Sequence, residues 1–366
     1  MLSIVSYSLL PYTTGGQKSV AQFNEFLGSQ CDFTVIGTAG NDLSLVHNYT
    51  LLPWLQNGLI KFFQFSLFFK ISKLIKDNGI QYCMIEHPYM GWLGWLIRWN
   101  CKIPLIVHTH NIEFLRFKSL GKKWWFILMM YEKWILKSAD TIFCISEDDR
   151  QYMIKNIKID AMKCHVITFG LPIPANPSDK KEAREIIKKE HHISDDESII
   201  LFNGALNYGP NADAVRDIIE NINPLLLSYQ NFKYKIVICG KGLPKEFNEL
   251  KNIQNIIYTG LVPDIELYFK AADLFINPVL GGGGIKTKLV EALGFGTTSI
   301  SAKTGSLGCN LEACGDKLVV IKDYDWDAFA KAIVENLQQD IQTPNSFYDQ
   351  YYWGNITRKA LEALPN

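Results

Sequence analysis

The chain alternates short apolar, β-branched runs with longer amphipathic stretches, and does so twice. That alternation restricts the folds open to it. Strand-type runs fall at 2–7, 33–37, 82–86, 105–109, 141–145 and 165–168, with helical patterns between them at about 17–27, 58–77, 90–99, 122–137 and 147–154. Strands separated by helical crossovers predict a doubly wound parallel sheet. The proline-rich stretch LPIPANPSDKK at 171–181 has no apolar period and reads as a linker. A charged helical segment at 180–190 follows it. The rhythm then resumes, with strands expected at 198–203, 234–239, 256–258, 274–277, 298–301 and 318–321. Helices are expected at 211–228, 264–271, 285–295 and 326–338, and one more at 346–364. The expected organisation is therefore two Rossmann-like α/β domains facing a ligand cleft. Their boundaries are 1–172 and 173–344, followed by a C-terminal helical segment at 345–366.

Length and charge narrow the function. A chain of 366 residues is long enough for two cores. Its 37 basic and 37 acidic residues cancel, so net charge implies no polyanion-binding surface and no nucleic-acid partner. The eight cysteines form no CxxC pair and lie mostly in apolar runs, which reads as reduced thiols in a cytoplasmic protein. No metal site is expected, because the pairs His108/His110 and His191/His192 lack a matching Cys/His cluster. Met1 leads straight into a strand pattern rather than into a secretory signal. Two aromatic stretches lie at 51–75 and 122–136; Lys61, Lys70 and Lys73 interrupt the first, so no run in it reaches the ~20 apolar residues of a bilayer span. They read as core helices or as surfaces for peripheral membrane contact.

The chemistry concentrates in NPVLGGGGIKTKLVEALGFG, residues 277–296. Glycines can lie flat against a ligand and present their N–H groups. The helix that follows starts with unsatisfied N–H groups and a positive dipole end. Lys286 and Lys288 are expected in its first turn, where cations are disfavoured, so an anion such as a diphosphate is expected there. Glu291 shares roughly one helix face with Lys288. No Gly-Lys-Ser/Thr follows the glycines, so this is not a P-loop. As a bland alternative, the glycines form only a turn and the lysines a solvated face.

Other strand ends add candidates. Gly15 and Gly16 precede a helix after the first strand and could approach a phosphate or sugar. His110 lies just past a strand end beside His108, Asn111 and Glu113, where imidazole can orient a hydroxyl or move a proton. Asn203 and Gly204 end the first strand of the second half. Lys241 follows the next one and faces either phosphate or solvent.

These segments, in this order, resemble retaining glycosyltransferases of family 4, which have the GT-B fold. The resemblance covers essentially the whole chain and is strongest over residues 202–308. It rests on ADTIFCISEDDRQYM, FNGALNYGPNADAV, KIVICGKGLP and the long segment around the glycine run. It implies that Gly282, Gly283, Gly284, Lys286 and Lys288 hold a nucleotide diphosphate, and that Glu291 accepts from ribose hydroxyls. It places His110 near the donor sugar and Gly15-Gly16 near the diphosphate and acceptor. It also implies a final helix crossing back to the first domain. Two features depart from the family. Many relatives carry a glutamate where Gly283 stands, and a basic pair in the loop that here reads GALNYGPN. Lys286 and Lys288 would then carry the diphosphate alone.

The expected function is retaining, metal-independent transfer of a sugar from a nucleotide-sugar co-substrate, with no other cofactor. The acceptor class is a glycan or lipid-linked saccharide in surface polysaccharide synthesis. The rivals are an epimerase using Glu113, and a catalytically silent sugar-nucleotide-binding subunit. The base, the sugar and the acceptor are not legible.

Overall fold

The computed structural model describes residues 1–12, 14–282, 284–337 and 341–365, and at 249 the backbone alone. The chain forms two compact units, Met1–Pro172 with Tyr352–Asn366, and Ile173–Tyr351.

Among the described residues, the first unit holds a seven-stranded, all-parallel sheet. Its strands are β1 (Leu2–Val5), β2 (Thr34–Thr38), β3 (Thr50–Leu55), β4 (Cys83–Glu86), β5 (Leu105–Thr109), β6 (Thr141–Cys144) and β7 (Cys164–Val166). The spatial order is β3-β2-β1-β4-β5-β6-β7. Strand order reverses between β1 and β4, which pair through Leu2–Cys83 to Val5–Glu86. Ligands of such sheets sit outside the carboxyl ends at that reversal. Right-handed crossovers put helices on both faces. One face carries the helix Gly15–Gly28, and the other carries Ser66–Asp77, Gly91–Cys101 and Trp125–Ser138, which pack side by side. The core between is apolar and fully buried, for instance Ile4, Ile85, Val107, Ile135 and Ile142.

β3 corrects the sequence reading, which took 51–75 as helical. Residues 50–55 form the edge strand instead, and the exposed Pro53 explains why. Proline has no N–H for a ladder and is tolerated on an edge. The helix there starts only at Ser66, after a short 3₁₀ turn at Leu59–Phe63.

The second unit has a six-stranded parallel sheet among the described residues: β8 (Ser198–Asn203), β9 (Tyr234–Cys239), β10 (Ile256–Gly260), β11 (Leu274–Asn277), β12 (Thr298–Ala302) and β13 (Leu318–Ile321). Its order, β10-β9-β8-β11-β12-β13, reverses between β8 and β11. The helix expected at 211–228 starts at Gly209 and passes through a wide five-residue turn, Ile218–Ile222, before Asn223–Leu227. Pro224 cannot donate to the preceding turn, so the ladder shifts there.

The single terminal helix expected at 346–364 is two helices. Asn345–Tyr351 belongs to the second unit and Trp353–Glu362 to the first. They break because Tyr352 is extended and pairs with Leu171, whose carbonyl accepts from the Trp353 N–H at 2.9 Å. The last helix lies on Gly15–Gly28. Trp353, 1% exposed, meets Phe23 and Phe169 at ring separations of 6.0 and 5.8 Å, and its indole N–H donates to Gln22 at 3.0 Å. A Cβ on Gly170 would lie 2.5 Å from that indole, so the chain needs glycine there.

Candidate active site

In the second unit the candidate residues sit on the two loops that flank the β8/β11 reversal. β11 leads through the glycine run to the helix Thr287–Gly294. Gly282 has φ +82°, and a Cβ there would come within 2.7 Å of the Tyr208 hydroxyl. Gly284 has φ +70°. The run is therefore a shaped turn seated against the loop after β8, rather than a free linker. Gly283 lies outside the described residues.

The two lysines are not equivalent, which revises the sequence reading. Lys286 is the N-cap residue rather than part of the first turn, and its ammonium returns to the carbonyls of Gly282 and Gly284 at 2.9 and 3.1 Å. Lys288 is in the first turn and reaches across to the β8 loop. It donates to the Asn203 carbonyl at 3.0 Å and to Asn211 Oδ1 at 2.9 Å, with the Phe202 ring centroid 4.2 Å away. Burial pushes both ammonium groups down. Lys288 reaches about 7, with the charge of Lys286 adding to the effect of burial. Neither lysine has a carboxylate among the partners just named, and both stand at a helix N-terminus, where the dipole is positive. An anion bound beside them would favour the charged form of both ammonium groups. Asn203 Oδ1 is buried with no hydrogen-bond partner, so the end of β8 offers an unused acceptor. Gly204 packs so closely that a Cβ would sit 2.7 Å from Asn211 Nδ2. Glu291 lies on the same helix as Lys288 and is 7% exposed.

In the first unit the candidate residues gather at the carboxyl ends of β1, β4 and β5. Thr14 caps the helix Gly15–Gly28 through a reciprocal box with Gln17, leaving Gly15 and Gly16 as its first two residues. A Cβ on Gly16 would meet nothing within 4 Å, so packing inside the unit does not demand glycine. His110 is tied down by a residue the sequence reading missed. Glu86, at the end of β4 and fully buried, accepts from His110 Nε2 at 2.7 Å and from His108 Nδ1 at 3.1 Å. Burial alone would raise Glu86, but the two imidazoles outweigh it and hold the carboxyl well below the usual range. An ionised Glu86 only accepts, so both facing ring nitrogens carry hydrogen, and this fixes each tautomer. Burial lowers His108, with Glu86 opposing.

A second layer surrounds this pair. Glu113 accepts from the Tyr89 hydroxyl at 2.6 Å and from Arg116 at 2.7 and 2.9 Å, and lies 3.3 Å from His87. Burial would raise it, and these partners bring it down to about 2. Glu113 is thus a fixed anion in a network, not a free acid. Glu132, from the next helix, Trp125–Ser138, accepts the N–H groups of Glu113 and Phe114 at 3.0 and 2.9 Å and so starts a helix at Glu113–Ser119 that local pattern did not show.

The atoms Glu86, His108 and His110 offer lie within 4.8 Å of one another, so these three could hold a metal ion. The sequence reading expected none, because the carboxylate comes from a neighbouring strand. All eight cysteines are unbonded, five of them buried.

Two family profiles match this chain: "Glycosyltransferase Family 4" over residues 13–173 and "Glycosyl transferases group 1" over residues 197–339. Each half of the chain thus matches its own family description. The chain belongs to the group 1, family 4 glycosyltransferases. The enzyme is similar to the O-antigen biosynthesis glycosyltransferase WbnH of Escherichia coli, at 25% identity over 362 residues, covering 95% of this chain and 90% of that protein. It is also 24% identical over 356 residues to an Escherichia coli UDP-Gal:alpha-D-GlcNAc-diphosphoundecaprenol alpha-1,3-galactosyltransferase, covering 91% of this chain and 87% of the relative. Among solved structures, HepE of Anabaena in complex with UDP superposes with a TM-score of 0.71 at 14% identity, covering 99% and 98% of the two chains. Sucrose-phosphate synthase of Thermosynechococcus elongatus gives 0.68 at 16%, with the same coverage. At these identities the structures establish the fold, which is GT-B.

Proposed function

We propose that the enzyme is a retaining glycosyltransferase that draws on a nucleotide-sugar, with UDP as the first candidate. Its acceptor is a glycan or lipid-linked saccharide of surface polysaccharide synthesis. The observation that carries this reading is the convergence of Lys286, Lys288 and a helix N-terminus on the loops at the β8/β11 reversal. The names of the Escherichia coli relatives support the acceptor class. The alpha-1,3 product in one of those names is what retention gives from an α-linked nucleotide sugar.

In this reading the anomeric carbon loses its bond to the β-phosphate oxygen and gains one to the acceptor oxygen on the same face. The acceptor proton passes to the departing phosphate. Lys286, Lys288 and the N–H groups at the start of the helix meet the charge that develops on the diphosphate, a term that commonly dominates such catalysis. His110, held by Glu86, presents an imidazole of fixed tautomer that can orient a sugar hydroxyl. Glu291 and the unused Asn203 Oδ1 accept from hydroxyl or base groups of the nucleotide. Metal-independent catalysis fits the donor set, because 204–210 and 278–288 contain no Asp or Glu to carry a diphosphate-bound divalent cation.

Incubation with radiolabelled UDP-, GDP-, ADP- and CMP-sugars and membrane lipid extracts tests this reading, with NMR of the new linkage. Transfer from one donor with retained configuration, lost in Lys286→Ala, is expected. An inverted product would refute retention. Tight donor binding without any turnover would favour the silent-subunit reading that Gly283 motivates.

A further inference from the structure

The enzyme's neutral net charge hides a strong segregation. Residues 59–137 contain twelve basic and four acidic side chains. Three of those acids, Glu86, Glu113 and Glu132, are fully buried, and the fourth, Asp77, is paired with Lys73 at 2.7 Å. Arg116 is taken up by Glu113, and Arg98 by Asp140 just past the segment, so the outward excess of positive charge is carried mainly by lysines.

The same segment exposes large apolar side chains that a water-facing helix layer has no use for. Phe63, Phe69 and Trp99 are 70%, 72% and 72% exposed, and Phe126, Ile127 and Met130 are about half exposed. They lie on the three helices packed side by side on one face of the first sheet, and on the 3₁₀ turn before them. Ring contacts join these elements into one surface. Phe65 meets Trp92 at 5.0 Å, and Trp95 meets Trp134 at 5.6 Å. Apolar area of this extent marks an interaction surface. Among the described residues no helix is long and apolar enough to cross a membrane.

We propose that this helix layer docks the enzyme on the surface of an anionic phospholipid bilayer. Exposed rings flanked by lysines match the two layers of such an interface, acyl chains below and phosphates above. Lys122 and Lys123, exposed beside Trp124, stand where headgroup phosphates would lie. A protein partner of equal area would be expected to meet balanced charge, and a nucleic acid would not need the phenylalanines. The inference does not depend on which donor or acceptor the enzyme uses.

Flotation of the full chain with vesicles tests it. Half phosphatidylglycerol, half phosphatidylcholine vesicles should bind the enzyme at low salt at least tenfold more tightly than pure phosphatidylcholine. Phe63→Ser with Phe69→Ser, and separately Lys122→Glu with Lys123→Glu, should each weaken binding tenfold or more. These residues are exposed, so circular dichroism and UDP-induced thermal shift should stay native. Tryptophan emission should shift to the blue on vesicles and be quenched by brominated lipid. No flotation at low salt would overturn the proposal. So would binding untouched by the phenylalanine changes, or equal affinity for heparin, since either would reduce the surface to a general polyanion site.

Discussion

Replacing Lys288 by methionine separates two roles that the structure gives one ammonium group. Methionine keeps the length and apolar stem and removes the charge. In the folded enzyme Lys288 titrates near 7, against about 10.5 for an unperturbed lysine. Between those values the folded chain binds fewer protons than the unfolded one, so stability rises with pH through this window; the cost of burying Lys288 is full below 7 and is relieved toward 10.5. Each unit of pH corresponds to about 1.4 kcal/mol. Allowing for curvature near the lower pKa, the penalty should ease by roughly 1–2 kcal/mol from pH 7.0 to 8.5. Lys288→Met should lose that pH dependence. It should also leave the partly buried Asn203 carbonyl and Asn211 Oδ1 short of a donor, at roughly 1 kcal/mol each. Urea melts of both chains at the two pH values measure the difference. The functional counterpart is proton uptake. A diphosphate should recharge the lysine, so UDP binding at pH 8.5 should take up about one proton in the native enzyme and far less in the variant. Titration calorimetry in buffers of different ionisation enthalpy reads this directly. Parallel pH dependence of the two chains, with no proton uptake in either, would refute the assignment of Lys288 as a poised, largely neutral cation.

Three further outcomes follow from the geometry. Glu86→Gln removes the acceptor that fixes both imidazoles, so kcat should fall about 10²-fold with donor KM little changed, and the acidic limb of the pH–rate profile should move, while Glu86→Asp restores part of the rate. Gly282→Val forces a β-branched residue to φ +82° against the Tyr208 hydroxyl, and should raise donor KM at least tenfold with about 1–3 kcal/mol of lost stability, read by donor saturation curves and urea melts. Trp353→Ala empties a buried indole site between Phe23 and Phe169, and should cost about 3–5 kcal/mol in chemical denaturation without altering UDP affinity per folded molecule.

The sequence alone determined the α/β class and most strands, because period-2 and period-3.6 patterning are local properties of the chain. The glycine run with Lys286, Lys288 and Glu291 was legible for the same reason, since all its parts lie within one turn and one helix. Only the tertiary structure decided where the lysines point, because Lys288 finds its partners at 203 and 211, some eighty residues away. It alone also revealed Glu86 as the anchor of His110 and Glu132 as the cap of a helix, since each acts across strands or helices that no local window contains. The split of the final helix at Tyr352 was hidden likewise, being imposed by pairing with Leu171. The positive helix layer escaped the composition because charges that sum to zero along a chain can still separate in space. A count along residues 59–137 shows the basic excess, but that three of its four acids are buried is a decision of packing.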